Sequence, residues 1–184
     1  MARRNPTPHF WQGKRVLVTG HTGFKGAYLS LWLGKLGATV TGYSLSAPTE
    51  PSLHKVISLA DLIREKIADI CDTTVLHMTM KETNPEIVFH LAAQSLVGQS
   101  YQDPLETYRA NVLGTASVLE AVRRQSSVRA VVVITTDKCY ENNEWLWGYR
   151  ENDRLGGYDP YSNSKACAEL VVDSFRRCFF NLPE

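Results

Sequence analysis

The sequence predicts an α/β protein whose parallel sheet is wound with helices on both faces. Three observations carry that expectation. Short apolar runs alternate with longer helical patterns, the mark of repeated βαβ units. The first run, Arg15-Val-Leu-Val-Thr-Gly20, is continuously apolar as in a strand buried on both faces. Three glycines, Gly20, Gly23 and Gly26, then stand at spacing three and three between that strand and the next helix.

Each element follows from its own pattern. Phe24 to Leu36 puts Leu29, Trp32, Leu33 and Leu36 on one helical face, and Gly37 ends it. Ala38 to Ser44 reads as the second strand, and the proline- and serine-rich stretch 46–53 as a loop. Lys66 to Ile70 is a third strand by position. Residues 73–83 read as a helix stopped by Pro85, and Ile87 to Ala93 as the fourth strand. Pro104 opens a long helix to Gln125, with Tyr108, Val112, Ala116, Leu119 and Val122 near one face. Arg129 to Thr135, the most β-branched run, is the fifth strand. Residues 141–159 lack periodicity and read as a long loop of the kind that often carries function. Tyr161 to Phe180 reads as the last helix.

Composition excludes several classes. A length of 184 residues fits one domain, and 43% hydrophobic with 21% charged residues is ordinary globular usage. The net charge of +1 is scattered, which argues against nucleic acid as a partner. No apolar run approaches the ~18 residues of a membrane span, and no apolar signal core follows the basic segment Met1 to Trp11. Cys71, Cys139, Cys167 and Cys178 form no C-x-x-C pair, so neither a disulfide framework nor a metal site is expected. The five histidines show no ligand spacing either, and His90 reads as a hydrogen-bonded residue at a strand end. These features together fit a cytoplasmic protein.

The glycine-rich segment Gly20-His-Thr22-Gly23-Phe24-Lys25-Gly26 follows a buried strand and opens an amphipathic helix. That context turns a weak trio into a dinucleotide cradle and makes the sheet Rossmann-type. Gly20 permits the turn, Gly23 lets backbone N–H groups approach a pyrophosphate, and Gly26 permits close helix–strand packing. The helix N-terminus adds partial positive charge. The second strand ends in Tyr43-Ser44-Leu45 without an acid, so Ser44 or backbone would meet the ribose 2′-hydroxyl. No Arg or Lys before Lys55 stands ready for a 2′-phosphate, which favours NAD over NADP.

Tyr161 and Lys165 lie four residues apart, on one helix face. A nearby cation favours phenolate, and a phenolate can remove a hydroxyl proton as hydride leaves the same carbon. Thr136 at the end of the fifth strand could hold the substrate oxygen, and Asn111 sits inside the long helix.

From Trp11 onward the sequence resembles the extended short-chain dehydrogenase/reductases that act on nucleotide sugars. The resemblance rests on Thr19-Gly-His-Thr-Gly-Phe-Lys-Gly26, Asp69-Ile70, His90-Leu91-Ala92-Ala93, Asn111 and Tyr161-x-x-x-Lys165. It implies that Asp69 and Ile70 contact adenine, that Leu91, Ala92 and Ala93 line the cofactor, and that Lys165 bonds the nicotinamide ribose. Within the family, Thr135-Thr136-Asp137-Lys138 is similar to the Thr-Asp-Glu of dTDP-glucose dehydratases, with Lys138 where Glu would stand. That change, with Gly157-Tyr-Asp-Pro-Tyr-Ser-Asn-Ser-Lys165, resembles the subgroup that dehydrates CDP-glucose.

The resemblance implies NAD-dependent conversion of a nucleotide-linked glucose, CDP-glucose favoured, to its 4-keto-6-deoxy sugar. Tyr161 would take the C4 hydroxyl proton, Asp137 would protonate the departing C6 hydroxyl, and Lys138 would act as C5 base or enolate stabiliser. An epimerase or reductase using the same Tyr/Lys pair, or a dinucleotide-binding fragment without activity, are the alternatives. A plain Asp137–Lys138 ion pair is the structural alternative for that pair. Residues 1–12 read as an N-terminal extension and 13–184 as the NAD-binding domain. In the resembled family a further strand and a substrate domain follow the last helix, so the substrate domain is expected to be absent here. The full-length form would be a homo-oligomer.

Overall fold

A computed structural model describes residues 8–181. The short helix α1 (Pro8–Trp11) leads into β1 (Arg15–Thr19), then α2 (Phe24–Lys35) and β2 (Thr39–Ser44). After α3 (Leu53–Val56) and a 3-10 turn at Leu59–Asp61 come β3 (Arg64–Ile67), α4 (Thr73–Thr83) and β4 (Ile87–His90). Next are α5 (Val97–Gln102), α6 (Pro104–Tyr108), a π-helical segment Arg109–Leu113 and α7 (Gly114–Arg123). The chain continues with β5 (Ala130–Val133), a 3-10 turn Asp137–Cys139, α8 (Pro160–Phe175) and a second π-helical segment Arg176–Phe180.

The five strands are all parallel, in the order β3-β2-β1-β4-β5. β1 is central, and its Val16, Leu17, Val18 and Thr19 are all buried, as a strand covered on both faces requires. Successive side chains point to opposite faces, and the two core clusters divide accordingly. Val16 and Val18 pack with Leu33 of α2 and Val40. Leu17 packs with Tyr43, Leu76 and Met80 of α4, Val88, and Val118 and Val122 of α7. Helices therefore cover both faces, which is the Rossmann-type arrangement. The register sets Thr19 beside Tyr43 and His90. The carboxyl ends of β1, β2 and β4 thus form one rim, the edge where open parallel sheets bind ligands.

The elements differ from the sequence expectation in their ends. β3 is Arg64–Ile67 rather than 66–70, β4 stops at His90 and β5 at Val133. Asp69, Ile70, Leu91, Ala92, Ala93 and Thr136 consequently lie on loops beyond the sheet. The buried face of α2 runs through Gly26, Ala27, Ser30 and Leu33, while Trp32 is exposed. The long helix to Gln125 is broken by the π-helical segment, and Thr107, Asn111 and Thr115 occupy its buried face as hydrogen-bonded polar residues. The final helix likewise turns π-helical after Phe175. Residues 141–159 are largely loop, as expected, with one isolated bridge from Tyr140 to Leu155. The first seven residues of the expected extension 1–12 and the last three of the chain lie outside the described residues. No helix among the described residues is long and apolar enough to cross a membrane, and all four cysteines are free thiols.

Two histidines link this core to pH. His21 is 0% and His90 2% exposed. Burial lowers the pKa of both, that of His90 to about 3 with the charge of Lys165 adding to the effect. The unfolded chain takes up both protons near pH 6.5 while the folded chain resists them. Their stabilising effect is thus fully present above pH 6.5 and is lost as pH falls toward the lowered values, by up to ~1.4 kcal/mol per pH unit for each histidine. Urea unfolding at pH 7, 6 and 5 is expected to show declining stability, and His90→Gln to reduce that slope by about one proton. An unchanged slope would mean that His90 carries a proton in the fold.

Candidate functional site

The turn after β1 holds its glycines for different reasons. Gly20 has φ +77, and a Cβ there would meet the Ala92 backbone nitrogen at 2.6 Å. At Gly26 a Cβ would lie 2.1 Å from the Gly20 carbonyl oxygen. Both positions require glycine for the chain's own packing. Gly23 does not: its φ is −76, and a Cβ would meet only the Gly20 carbonyl oxygen, at 3.4 Å. It is the N-cap of α2, where no side chain caps the helix and no acidic residue occupies the first turn. The first-turn N–H groups are therefore left for an anion.

The walls follow from a buried hydrogen-bond network. Thr19 Oγ1 lies 2.7 Å from His90 Nδ1 and accepts from the Leu91 and Ala92 backbone N–H groups at 3.2 Å. His90 Nε2 lies 3.1 Å from Thr115 Oγ1, which donates to the Asn111 carbonyl at 2.6 Å. Thr115 has spent its hydrogen, so a neutral His90 donates from Nε2 and accepts at Nδ1 from Thr19. His90 is a satisfied structural residue, as its strand-end position suggested. Asn111 accepts from Gln94 N and donates to Gln94 O and Ser164 Oγ, at 2.8–3.0 Å. It fastens the loop after β4 to α8.

On the other side of the turn, Thr22 Oγ1 donates to the Leu45 carbonyl and lies 2.9 Å from Ser44 Oγ. Thr22 has one hydroxyl hydrogen, so Ser44 donates to it and faces the cleft with acceptor lone pairs. Asp69 Oδ2 pairs with Arg109 Nη2 at 2.7 Å, and Oδ1 accepts from Cys71 N. Those bonds, that of Arg109 first, hold its carboxyl below the usual range. Ile70 is 7% exposed and joins the core cluster below.

On α8, Tyr161 is half-buried and Lys165 7% exposed. Burial lowers the Lys165 pKa to about 8, with nearby Glu169 opposing the shift. Glu169 also accepts a short hydrogen bond from Thr135. Ser164 donates to the Tyr161 carbonyl at 2.7 Å, and Lys165 Nζ reaches the Ile134 carbonyl at 3.4 Å.

All residues that the sequence assigned to the cofactor line one cleft of about 550 Å³: the turn from Gly20 through Gly26, Ser44, Asp69, Ile70, Leu91 to Ala93, Tyr161 and Lys165. His21 is the turn residue that does not face it. Thr136, Asp137 and Lys138 are not in its wall. Thr136 caps the short 3-10 turn, and Asp137 and Lys138 are exposed and form no ion pair with each other. The simple ion-pair alternative is thereby removed. A second cavity, of about 500 Å³, lies between β5, α7 and α8 and shares only Thr135 with the cleft. It holds no acid–base pair suited to hydride chemistry. Arg109, Thr135 and Glu169 were missed from sequence. Glu169 was within reach, four residues beyond Lys165 on the same face, whereas nothing local joins Arg109 to Asp69.

The chain matches a family model described as GDP-mannose 4,6 dehydratase over residues 17–181. It is 60% identical over 173 residues to the CDP-glucose 4,6-dehydratase of Salmonella typhimurium, covering 94% of this chain and 48% of that protein. The UDP-glucose 4-epimerase of Brucella ovis in complex with NAD superimposes with a TM-score of 0.78 at 28% identity, over 91% of this chain and 49% of that one. The UDP-glucose 4-epimerase of Thermotoga maritima with UDP-glucose gives 0.80 at 25% identity, over 89% and 52%. The chain spans about half the length of the relatives it matches.

The three glycines separate in a stability experiment. Gly26→Ala and Gly20→Ala are expected to cost at least about 2 kcal/mol, from backbone clash and, at Gly20, positive φ. Gly23→Ala is expected to cost under about 1 kcal/mol, the loss of a tolerated N-cap. Equal losses at all three by chemical denaturation would mean that Gly23 too serves packing.

Proposed function

The chain belongs to the GDP-mannose 4,6 dehydratase family of extended short-chain dehydrogenase/reductases, and from that premise we propose that residues 13–184 are the NAD-binding domain of a CDP-glucose 4,6-dehydratase. The observation that carries this reading is the single cleft holding the glycine turn, Ser44, Asp69 and the Tyr161/Lys165 pair. The 60% identity to a CDP-glucose 4,6-dehydratase supports the choice of sugar nucleotide. Four free thiols and no membrane-length helix among the described residues fit a cytoplasmic enzyme.

The residues present fit the dinucleotide. The uncapped start of α2 and the open space over Gly23 suit a pyrophosphate. Ser44, its hydrogen committed to Thr22, accepts from a ribose 2′-hydroxyl and has nothing to donate to a 2′-phosphate. That favours NAD. When bound, NAD supplies the hydride acceptor for C4 of the glucose and the hydride donor for C6.

In this reading Tyr161, as phenolate, takes the C4 hydroxyl proton, and Lys165 stabilises the phenolate and bonds the nicotinamide ribose. Thr136 holds the substrate oxygen. The 4-ketone acidifies C5–H, Lys138 takes that proton, Asp137 protonates the departing C6 hydroxyl so that water leaves, and the hydride returns to C6 as Lys138 gives the proton back to C5. Once it carries the C5 proton, the Lys138 ammonium stabilises the enolate electrostatically. A second reading, a nucleotide-sugar epimerase, is supported by the epimerases that superimpose on the chain. Epimerisation needs no elimination acid, so Asp137 separates the two.

Three variants test the reading. Gly23→Val in this chain should weaken NAD binding more than tenfold by calorimetry, about 1.4 kcal/mol; unchanged affinity in a folded variant would refute the cradle. In an enzyme carrying this chain with a substrate domain, Tyr161→Phe should leave NAD binding nearly intact and lower turnover by about 10²-fold or more. Asp137→Asn there should slow water loss far more than the first oxidation. Stopped-flow absorbance should then show reduced cofactor accumulating beside a 4-keto sugar that keeps its 6-hydroxyl. Equal damage to both steps would assign Asp137 to positioning, and damage to neither would favour the epimerase.

A further inference from the structure

Behind the glycine turn lies a cluster that the cofactor reading does not use. His21, His54 and Glu65 come from three separated segments: the turn itself, α3 and β3. Their ligand-type atoms all lie within 4.8 Å of one another. His21 is fully buried, and the His54 and Glu65 side chains are 14% and 16% exposed.

The sheet is shaped for this cluster. Gly42 interrupts an otherwise side-chain-bearing strand, and a Cβ there would strike the His21 ring at 2.3 Å. A glycine inside a buried strand weakens it, and close approach by another group accounts for its presence. The register sets Glu65 beside Gly42. The gap at Gly42 thus admits the His21 imidazole, and the neighbouring position presents a carboxylate to it.

Hydrogen bonds alone leave the cluster unsatisfied. Glu65 Oε1 lies 2.6 Å from His54 Nε2 and 3.1 Å from His21 Nε2. The second approach lacks hydrogen-bond alignment, so both ring nitrogens of buried His21 are without a partner, as is His54 Nδ1. A buried polar atom left unpaired is normally costly enough to be removed or satisfied.

We propose that His21, His54 and Glu65 bind one divalent transition-metal ion of the zinc class. Two imidazole nitrogens and one carboxylate oxygen are the donor set such an ion takes, with a fourth position for water. Bonds of about 2.0–2.1 Å in a tetrahedron place donor atoms about 3.3 Å apart. The 3.1 Å pair lies within about 0.2 Å of that separation, and the 2.6 Å pair reaches it by opening about 0.7 Å. Magnesium and calcium are poor candidates because they want six or more oxygen ligands. The ion joins α3 and β3 to the back of the turn and stiffens it from the side opposite the cleft.

The test uses the 184-residue chain after chelator treatment, titrated with Zn²⁺ by calorimetry and with Co²⁺ by visible absorption. One ion per chain is expected, with Kd at or below about 1 µM and the absorption of tetrahedral cobalt. A hundredfold excess of Zn²⁺ over Kd should raise Tm by at least about 5 °C. His54→Ala and Glu65→Gln should each weaken binding at least tenfold and remove the cobalt band, with circular dichroism unchanged. These positions are preferred to His21, whose complete burial makes its replacement a folding risk. No binding tighter than about 100 µM, or binding that both variants leave unchanged, overturns the proposal. NAD affinity is a separate measurement, so either proposal can fail alone.

Discussion

The close approach of two backbones at Gly20 is the constraint on which the rest depends. The turn leaving β1 passes so near the loop leaving β4 that a Cβ would sit 2.6 Å from the Ala92 nitrogen. The hydroxyl of Thr19, one residue earlier, accepts the N–H groups of Leu91 and Ala92. Gly26 then lets α2 settle directly on the Gly20 carbonyl. One contact thereby fixes three things: where β4 ends, how close α2 lies to the sheet, and the direction in which the first-turn N–H groups point.

The far wall depends on polar groups in a place where apolar packing would be expected. Thr107, Asn111, Thr115 and His90 are buried, and bonds among them and to neighbouring backbone satisfy them. Each such bond adds little net stability, while each unsatisfied partner would be costly. The network therefore specifies one arrangement of loop, helix and α8. Asn111 holds Ser164, and Ser164 holds the carbonyl of Tyr161. The buried seat of Lys165 is part of the same construction, and its lowered pKa is the electrostatic consequence of that burial.

Sequence made the parallel sheet, the glycine turn and the Tyr161/Lys165 pair legible, because each is a local pattern with a mechanical cause. Strand ends were less legible. Leu91, Ala92 and Ala93, Ile134, and Ala68 with Ile70 are apolar and read as continued strand. After β4 the Leu91 and Ala92 N–H groups turn to Thr19 Oγ1, a tertiary event with no local sign. The π-helical segment escaped for a related reason: a helix face filled by Thr107, Asn111 and Thr115 does not show in an apolar period. The Asp69–Arg109 pair joins residues forty positions apart, and no spacing rule reaches across that distance. The metal-type cluster is the same case in sharper form. Its ligands show no motif spacing, and its one sequence trace is the glycine in the middle of β2.

The site's two halves differ in how firmly the fold holds them. The dinucleotide side rests on strand ends, a helix start and buried hydrogen bonds, where a small displacement breaks several contacts at once. Asp137 and Lys138 instead sit exposed on a short 3-10 turn. They precede a loop whose aromatic rings stack largely on one another: Tyr140 on Tyr149, and Trp145 on Trp147. Hydride transfer demands the rigid half, because distance and angle at one carbon set its rate. An acid that acts on a hydroxyl two carbons away needs to reach its target only after the ketone has formed. In the proposed reading, placing Asp137 on a short turn beside the cleft would let the same rigid base serve elimination or simple redox chemistry. On that reading the choice between them would fall to the residues at positions 136–138, not to the sheet.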